Sequence, residues 1–385
     1  MPQRFLRMAK APVSLACSAL LLVACGLASA QADLSACKAV ADDGQRLACY
    51  DRLAGRQPAA GTAPGPGSVA SVASAPTERP AFETSIAQAK PEPALFSRDA
   101  ACRDRRSGAW SRFWELEPQS DCGTFRLRGY RPLNVSLVQS DRVNRAPSSQ
   151  AAGRSASRNA DYNSHEMRLQ LSVRTKIASG LLTHGDPARV DSLWFAYSQQ
   201  SYWQLFSDQL SRPFRATDHE PELIYVHPLE LSLPGSWRMR YAGLGLVHQS
   251  NGQSLPLSRS WNRVYLMAGA DMNERWLLTT RLWQRLPERA EDDDNPGISE
   301  GMGRGEMRLG WAVNRDHGLS LTVRHALRTG GRGSVRLEWF RALGSGAGQS
   351  DLRLHTQLLS GYGDSLSDYN FRRTVLSVGL SLLDF

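Results

Sequence analysis

Hydrophobic and polar residues alternate with a period of two along the last two thirds of the chain. In the segment EMRLQLSVRTK, charged or polar residues separate Met167, Leu169, Leu171 and Val173. Side chains two residues apart on a strand point to the same face, so this pattern predicts strands with one apolar and one polar face. Twelve such segments are centred near residues 136, 171, 197, 225, 244, 265, 280, 309, 322, 338, 355 and 379.

The number and spacing of these segments indicate a membrane barrel. Bacterial outer-membrane barrels have an even number of strands, and twelve segments satisfy this. Segments of about ten residues are long enough for tilted membrane-spanning strands. Short and long connections alternate between the segments, as the turns and loops of such barrels do. The chain also ends on an aromatic residue, Phe385. We therefore predict an all-β fold, a twelve-stranded antiparallel transmembrane β-barrel with a short N-terminal periplasmic extension. A soluble β-sandwich with the same alternation is the alternative.

The parity of the strands predicts which connections lie outside the cell. If the first strand rises from the periplasm, the outer loops follow the odd-numbered strands. These loops are predicted at 141–165, 204–221, 251–259, 287–304, 327–333 and 361–372.

The N-terminus has the features of an export signal. Basic residues precede the apolar run VSLACSALLLVACGL, and an A-x-A-like cleavage site ends at Ala30. Lipoprotein processing at Cys25 is the alternative. After Ala30 no run reaches the roughly 18 apolar residues that a membrane helix needs. We predict five parts: 1–30 signal peptide, 31–56 helical hairpin, 57–93 flexible linker rich in Pro, Ala, Gly and Ser, 94–124 pre-barrel segment, and 125–385 barrel.

Export also determines how the cysteines are interpreted. Cys37 with Cys49, and Cys102 with Cys122, form two local pairs in what would be an oxidising compartment, so disulfides are expected. No cysteine has the spacing of a metal ligand. The formal net charge of +9 does not indicate a nucleic-acid partner, because basic residues are not clustered with aromatic ones and the chain is exported. We assign that charge to solvated loops.

The segment LVHQSNGQSLPLSRSWNR contains the strongest chemical signal. His248 and Ser250 are in phase with the apolar residues of the fifth predicted strand, and Asn262 is in phase with those of the sixth. The three side chains are therefore predicted to share one lipid-facing patch at the outer rim. Serine, histidine and asparagine together supply a nucleophile, a base and a group that orients the base.

The same segment resembles the signature of the outer-membrane phospholipase A family of Gram-negative bacteria. The likeness extends through SQQSYWQL, SRPFRATDHEPEL, DDDNP and SGYGDSLSDYNF, and covers roughly residues 125–385. It implies a calcium-dependent serine hydrolase, active as a homodimer in the outer membrane. Its substrates would be phospholipids and lysophospholipids, with phospholipase A1, phospholipase A2 and lysophospholipase activities.

The resemblance assigns the catalytic roles residue by residue. Ser250 would be the nucleophile, His248 the base and Asn262 the group that orients the base. The backbone of Ser250 and Gly252 would form the oxyanion hole. Gln199 falls where the family has a glutamine that lines the substrate groove.

The resemblance also implies calcium ligands. These would be the Ser258 side chain, the Gln253 carbonyl and Ser211 of the neighbouring subunit, with Asp294 in the acidic loop EDDDNP. This chain has Leu255 where well-known members carry an aspartate, which leaves a second calcium site in doubt. The alternative function is a passive or structural barrel, similar to a narrow porin, that keeps the triad without using it.

Overall fold

The computed structural model describes residues 37, 40–53, 108–183, 186, 188–212, 214–344 and 352–382. Contacts divide the chain into two units, 1–87 and 88–385. Within the described residues, no helix has both the length and the apolar character required to cross a bilayer. The predicted signal peptide, the linker and Phe385 lie outside the described residues.

The first unit contains one described helix, Asp43–Leu53. The carboxylate of Asp42 accepts a hydrogen bond from Gln45 N at 2.9 Å, which satisfies a free amide at the start of this helix. A disulfide joins Cys37 to Cys49, as the cysteine spacing predicted. The other half of the predicted hairpin lies largely outside the described residues.

The second unit is an antiparallel β-sheet that closes on itself. Its strands are β1 (Arg128–Gly129), β2 (Leu133–Ser140), β3 (His165–Ser179), β4 (Ser192–Trp203), β5 (Ala216–Leu233), β6 (Trp237–Ser250), β7 (Ser260–Met272), β8 (Trp276–Arg285), β9 (Gly305–Ala312), β10 (His317–His325), β11 (Gly333–Ala342), β12 (Leu352–Tyr362) and β13 (Arg372–Leu382). Each strand from β2 to β13 pairs with its sequence neighbours, and β13 pairs with β2. The two-residue β1 lies beside β3, so the barrel has twelve full strands.

Short helical segments occupy the connections. They are the α-helices Ala109–Trp114 and Ile298–Met302, and the 3-10 helices Pro118–Ser120, Pro234–Ser236 and Leu366–Asp368. We call the end of the barrel that carries the connections 141–164, 204–215, 251–259, 286–304, 326–332 and 363–371 the loop end. The opposite end is the turn end.

The barrel is apolar outside and polar inside. On β6, Leu244 and Leu246 point outward and are 47% and 50% exposed, whereas Arg168 and Lys176 of β3 point inward and are 1% exposed. This distribution is the reverse of that in a water-soluble domain and is typical of a barrel whose outer wall contacts lipid. The predicted fold class is therefore confirmed.

Aromatic side chains pack inside the turn end. The helix Ala109–Trp114 places Phe113 and Trp114 against Tyr130, Trp194 and Tyr241. Trp110 of the same helix donates a hydrogen bond to the barrel wall, from Nε1 to Ala270 O at 2.8 Å. The helix Ala109–Trp114, which precedes the first strand, is thus part of the barrel interior.

Between the two ends of the barrel, ion pairs stabilise the interior. Arg131 contacts Glu220 at 2.5 Å and Glu222 at 2.9 Å, and the Tyr265 hydroxyl donates to Glu222 at 2.8 Å. Arg281 lies 3.7 Å from the same Glu222. Because buried charges are costly without partners, these pairs allow strands with charged inner faces to close into a barrel. The interior encloses a cavity of about 590 Å3.

A second ionic cluster lies beneath the loop end. Asp364 accepts from Arg373 and Arg168, and Asp368 lies 3.3 Å from Arg373 and 3.6 Å from Arg215. Burial raises the pKa of Asp364 and of Asp368, but the neighbouring arginine charges, led by Arg373, outweigh burial and hold each pKa below its usual range. The connection 363–371 is therefore fixed to the barrel by charged groups.

Strand β5 begins earlier than the sequence predicted. Residues 216–221 were expected in an outer loop, but β5 begins at Ala216. The stretch TDHEPE has no apolar residue and contains Pro221, which favours a loop at the sequence level. In the barrel, Glu220 and Glu222 face the interior and form ion pairs with Arg131, whereas His219 faces outward.

Candidate active site on the outer wall

Strands β6 and β7 bring His248 and Asn262 together. The two residues are directly opposite each other in the antiparallel register, and Ser250 is opposite Ser260. His248 Nδ1 lies 2.9 Å from Asn262 Oδ1. His248 is exposed on the outer wall, in line with Leu244 and Leu246. The shared lipid-facing patch predicted from the sequence is thus present for this pair.

The amide of Asn262 is held on its other side. Asn262 Nδ2 donates to Glu288 Oε1 at 3.2 Å. Glu288 is itself 3.3 Å from Arg285, which pairs with Asp293 at 2.7 Å. An amide whose NH2 group contacts a carboxylate presents its oxygen in the opposite direction, here toward His248. Glu288 is not recognisable from the sequence, because one more carboxylate beside an acidic loop gives no distinctive signal.

Ser250 is the last residue of β6 and lies two residues beyond His248. The two side chains share the outer face, and Ser250 is half-buried. Within the described part of the chain, Ser250 Oγ makes no hydrogen bond. The structure therefore brings His248 and Asn262 into contact and places Ser250 beside them with its hydroxyl unengaged.

The loop after Ser250 is organised by a buried side chain. Asn251 Oδ1 accepts from Arg259 N at 2.9 Å, and Asn251 Nδ2 donates to Leu257 O at 2.8 Å. The backbones of Asn251 and Arg259 are also joined at 3.0 Å. Gly252 follows with a φ of +61°, a left-handed conformation that favours glycine. The loop that starts at the candidate nucleophile is therefore fixed at both ends.

His219 lies directly beside this loop. It is opposite Ser250 in the register of β5 and β6. A Cβ atom on Gly252 would lie 3.4 Å from His219 Nε2, so the imidazole edge faces the glycine. His219 Nδ1 is 2.7 Å from the Tyr197 hydroxyl, which donates to Gln199 Oε1 at 3.1 Å. In the sequence His219 looks like an ordinary loop or strand residue, because the predicted outer loop extends to residue 221.

Two of the predicted calcium ligands are in contact with each other. Ser258 Oγ donates to Asp294 Oδ2, and Arg154 lies 2.9 Å from the other oxygen of that carboxylate. The other two have separate partners: Gln253 Nε2 donates to Arg215 O at 3.0 Å, and Ser211 O accepts from Trp203 Nε1 at 2.8 Å. Among the residues that the structure describes, no group of three His, Cys, Asp or Glu side chains forms a metal cluster.

The donor chemistry is nevertheless compatible with calcium. A hydroxyl, a carboxylate and a backbone carbonyl are hard oxygen ligands of the kind that calcium takes. Ser258 and Asp294 meet at one point on the loop end, although Arg154 already balances the carboxylate charge. Leu255 is 54% exposed in the same loop and contributes no ligand.

The fold and the outer-wall site together define a class of protein, an integral outer-membrane barrel with a candidate hydrolytic site on its lipid-facing surface. The family model described as Phospholipase A1 matches residues 110–382, and the chain belongs to that family. It is accordingly an outer-membrane enzyme that hydrolyses phospholipids.

Relatives support the family assignment. A Neisseria meningitidis serogroup B protein, provisionally named phospholipase A1, is 32% identical over 356 residues, which cover 90% of each chain. The outer membrane phospholipase A structure from Escherichia coli is 31% identical, with a TM-score of 0.57, and the match covers 68% of this chain and all of that one. A Salmonella typhi outer membrane phospholipase, a dimer with bound calcium, is 30% identical with a TM-score of 0.57 over 68% of this chain and 93% of that one.

Proposed function

We propose that the chain is a calcium-dependent serine hydrolase that cleaves acyl esters of phospholipids and lysophospholipids, with A1, A2 and lysophospholipase activities. The observation that carries this proposal is the 2.9 Å contact between His248 and Asn262 on the lipid-facing wall, with Ser250 on the same face. An exposed histidine and a half-buried asparagine have little structural use among lipid-facing leucines, whereas they can serve as the base and its orienting group in a triad.

The triad would transfer protons as follows. His248 Nδ1–H donates to Asn262 Oδ1, so the lone pair of the ring lies on Nε2. Nε2 takes the proton from Ser250 Oγ as this oxygen attacks the ester carbonyl carbon. The same proton then passes from Nε2 to the glycerol oxygen as the ester bond breaks, which leaves an acyl-enzyme. Water, activated by Nε2, releases the fatty acid and restores the serine.

The backbone after the nucleophile would stabilise the oxyanion. The amides of Ser250 and Gly252 are the donors, and the glycine is required because its φ of +61° is unfavourable for other residues. Asn262 is neutral and gives the imidazolium less electrostatic support than a carboxylate. The oxyanion donors therefore account for a larger share of catalysis than in a triad with aspartate.

Calcium would be held by Ser258 and the Gln253 carbonyl, with a modest contribution from Asp294. When bound, it supplies positive charge that polarises the ester carbonyl and supports the oxyanion. Two ligands from one loop are too few for an ion that takes six to eight oxygens. We therefore assign Ser211 of a second copy to the same site, and the calcium-bound dimer of the Salmonella typhi relative supports this assembly.

The remaining assignments concern lipid and the N-terminus. Gln199 lies on the outer face of β4 in the row that contains His219 and Ser250, and we assign it to the substrate groove. We further propose that residues 31–56 form a periplasmic hairpin on the linker 57–93, after removal of the signal peptide 1–30.

The triad is tested by Ser250→Ala. The variant should retain a folded, heat-resistant barrel and lose hydrolysis of phosphatidylcholine by about three orders of magnitude or more. Wild-type turnover in the alanine variant would remove Ser250 from the mechanism. Conductance in a planar bilayer, measured beside hydrolysis, distinguishes the enzyme from a passive barrel.

Calcium and assembly are tested together. Hydrolysis and cross-linked dimer should rise in parallel across a calcium titration in detergent, and Ser211→Ala should shift both curves to higher calcium. Chelation should stop turnover without unfolding the barrel. Full activity of dispersed monomers in excess chelator would contradict both the calcium role and the dimer requirement.

A further inference from the structure

A group of polar side chains interrupts the lipid-facing wall next to the active site. Tyr197, Gln199 and Ser201 point outward from β4, and Thr217 and His219 point outward from β5. They are linked in series: Gln199 Nε2 donates to Ser201 Oγ at 3.2 Å, and Thr217 Oγ1 donates to the same oxygen at 3.2 Å. Polar groups on a wall that otherwise contacts lipid are costly and mark functional positions.

His219 is the member of this group that reaches the reaction centre. It is opposite Ser250 on the adjacent strand, and adjacent strands lie about 4.8 Å apart. Its Nε2 edge faces Gly252, one of the two residues assigned to the oxyanion hole. Within the described part of the chain, Nε2 makes no hydrogen bond, so this atom is available to a ligand.

Tyr197 fixes the direction of the imidazole. Its hydroxyl lies 2.7 Å from His219 Nδ1, and the two rings are tilted by 31° with centroids 6.2 Å apart. The hydroxyl gives its proton to Gln199 Oε1, so His219 Nδ1–H donates to the hydroxyl oxygen. In the protonated imidazolium both ring nitrogens are donors, and the second N–H, on Nε2, then points away from Tyr197. As an imidazolium, His219 therefore presents an N–H donor beside Ser250.

We propose that His219 is a specificity-determining residue whose Nε2–H binds the phosphate of the phospholipid substrate. The inference rests on the proposed function. In a glycerophospholipid, only the glycerol carbons separate the scissile ester from the phosphodiester anion. With the ester at Ser250, a donor on the neighbouring strand is placed to bind the phosphate, whereas the carbonyl oxygen is served by the backbone of Ser250 and Gly252.

The experiment compares two lipids that differ in phosphate. Phosphatidylcholine and diacylglycerol with the same acyl chains are presented in the same mixed micelles to wild type and to His219→Phe. We expect His219→Phe to raise the apparent KM for phosphatidylcholine about tenfold or more, the typical effect of losing a hydrogen bond to a charged group. Its kcat, and both constants for diacylglycerol, should change little.

Three further variants sharpen the comparison. His219→Gln keeps an N–H donor and should recover most of the affinity for phosphatidylcholine. Tyr197→Phe should shift KM in the same direction by a smaller factor, because only the ring orientation is lost. His227→Phe is the matched control: His227 is also an outward-facing histidine of β5 paired with a tyrosine hydroxyl, at 3.3 Å from Tyr225, but it lies toward the turn end.

The outcomes separate this inference from the function on which it rests. An equal loss of kcat for both lipids in folded His219→Phe would overturn the phosphate assignment, and so would an unchanged KM for phosphatidylcholine. If His219→Phe does not fold, the two milder variants replace it. A KM for phosphatidylcholine near the wild-type value in His219→Gln, with a raised KM in Tyr197→Phe, supports the phosphate assignment. An unchanged KM in Tyr197→Phe contradicts it. Wild type that hydrolyses neither lipid would instead contradict the proposed function.

Discussion

Replacing Glu288 by alanine should lower kcat although Glu288 contacts neither the proposed nucleophile nor the proposed base. Its carboxylate accepts the hydrogen bond from Asn262 Nδ2 at 3.2 Å, on a side chain that is 17% exposed. Without this acceptor, the amide of Asn262 is free to rotate. In the rotated state its NH2 group faces His248 Nδ1, so a donor meets a donor and the ring adopts the wrong tautomer for a base.

The magnitude follows from the populations of the two amide orientations. If they become equal, half the molecules stay competent and kcat falls about twofold. If the lost contact was worth about 1.4 kcal/mol, near the lower end for a hydrogen bond to a charged acceptor, the ratio of the two orientations changes about tenfold, and this is the upper limit of the loss in kcat. The expected range is therefore about two- to tenfold, far below the loss from Ser250→Ala.

The assay is kcat and KM for phosphatidylcholine in detergent at saturating calcium. Glu288→Gln should restore activity, because its side-chain oxygen still accepts from Asn262. Glu291→Ala is the matched control in the same loop, since that side chain is 72% exposed and, among the described residues, pairs with Arg289 alone. Unchanged kcat in Glu288→Ala, while Asn262→Ala is strongly impaired, would refute the reasoning, because something else would then orient the amide.

Three other results are expected. Asn262→Ala should lower hydrolysis substantially yet leave more activity than Ser250→Ala, because the nucleophile and base remain; the reverse order in parallel assays would reassign the roles. Asp368→Asn should reduce heat resistance at neutral pH. Because the pKa of Asp368 is below its usual range, its stabilisation is present above about pH 4 and is lost as pH falls through the lowered pKa, so wild type and variant should converge in acid melts. Replacing Cys37 and Cys49 by serine should leave hydrolysis unchanged in protein that inserts normally, although the disulfide itself stabilises its loop by about 3 kcal/mol; lost activity would show that the N-terminal segment takes part in function.

The strand positions were predictable because alternation is a direct consequence of a wall with two different environments. All twelve predicted segment centres fall inside observed strands β2 to β13. The phase of His248 with Leu244 and Leu246 was sufficient to predict its outward direction. The contact with Asn262 then required only the register of one hairpin, which the loop length constrains.

Other features depend on contacts that no local pattern records. The start of β5 was misplaced because charged residues flank Pro221, and their partner Arg131 lies about ninety residues earlier in the chain. The role of Glu288 depends on a loop that folds back to β7, and the position of His219 depends on β5 itself. Cys122 is disulfide-bonded, as expected, while its predicted partner Cys102 lies outside the described residues.

The position of His248 and Asn262 on the outside of the wall determines how substrate arrives. A lipid reaches these side chains by diffusing sideways within the membrane plane, so the relevant concentration is the number of lipids per unit area. Turnover should therefore follow the mole fraction of phospholipid in a micelle or vesicle. Adding inert detergent at constant total phospholipid dilutes the surface and slows the enzyme, whereas diluting the whole suspension leaves that surface unchanged.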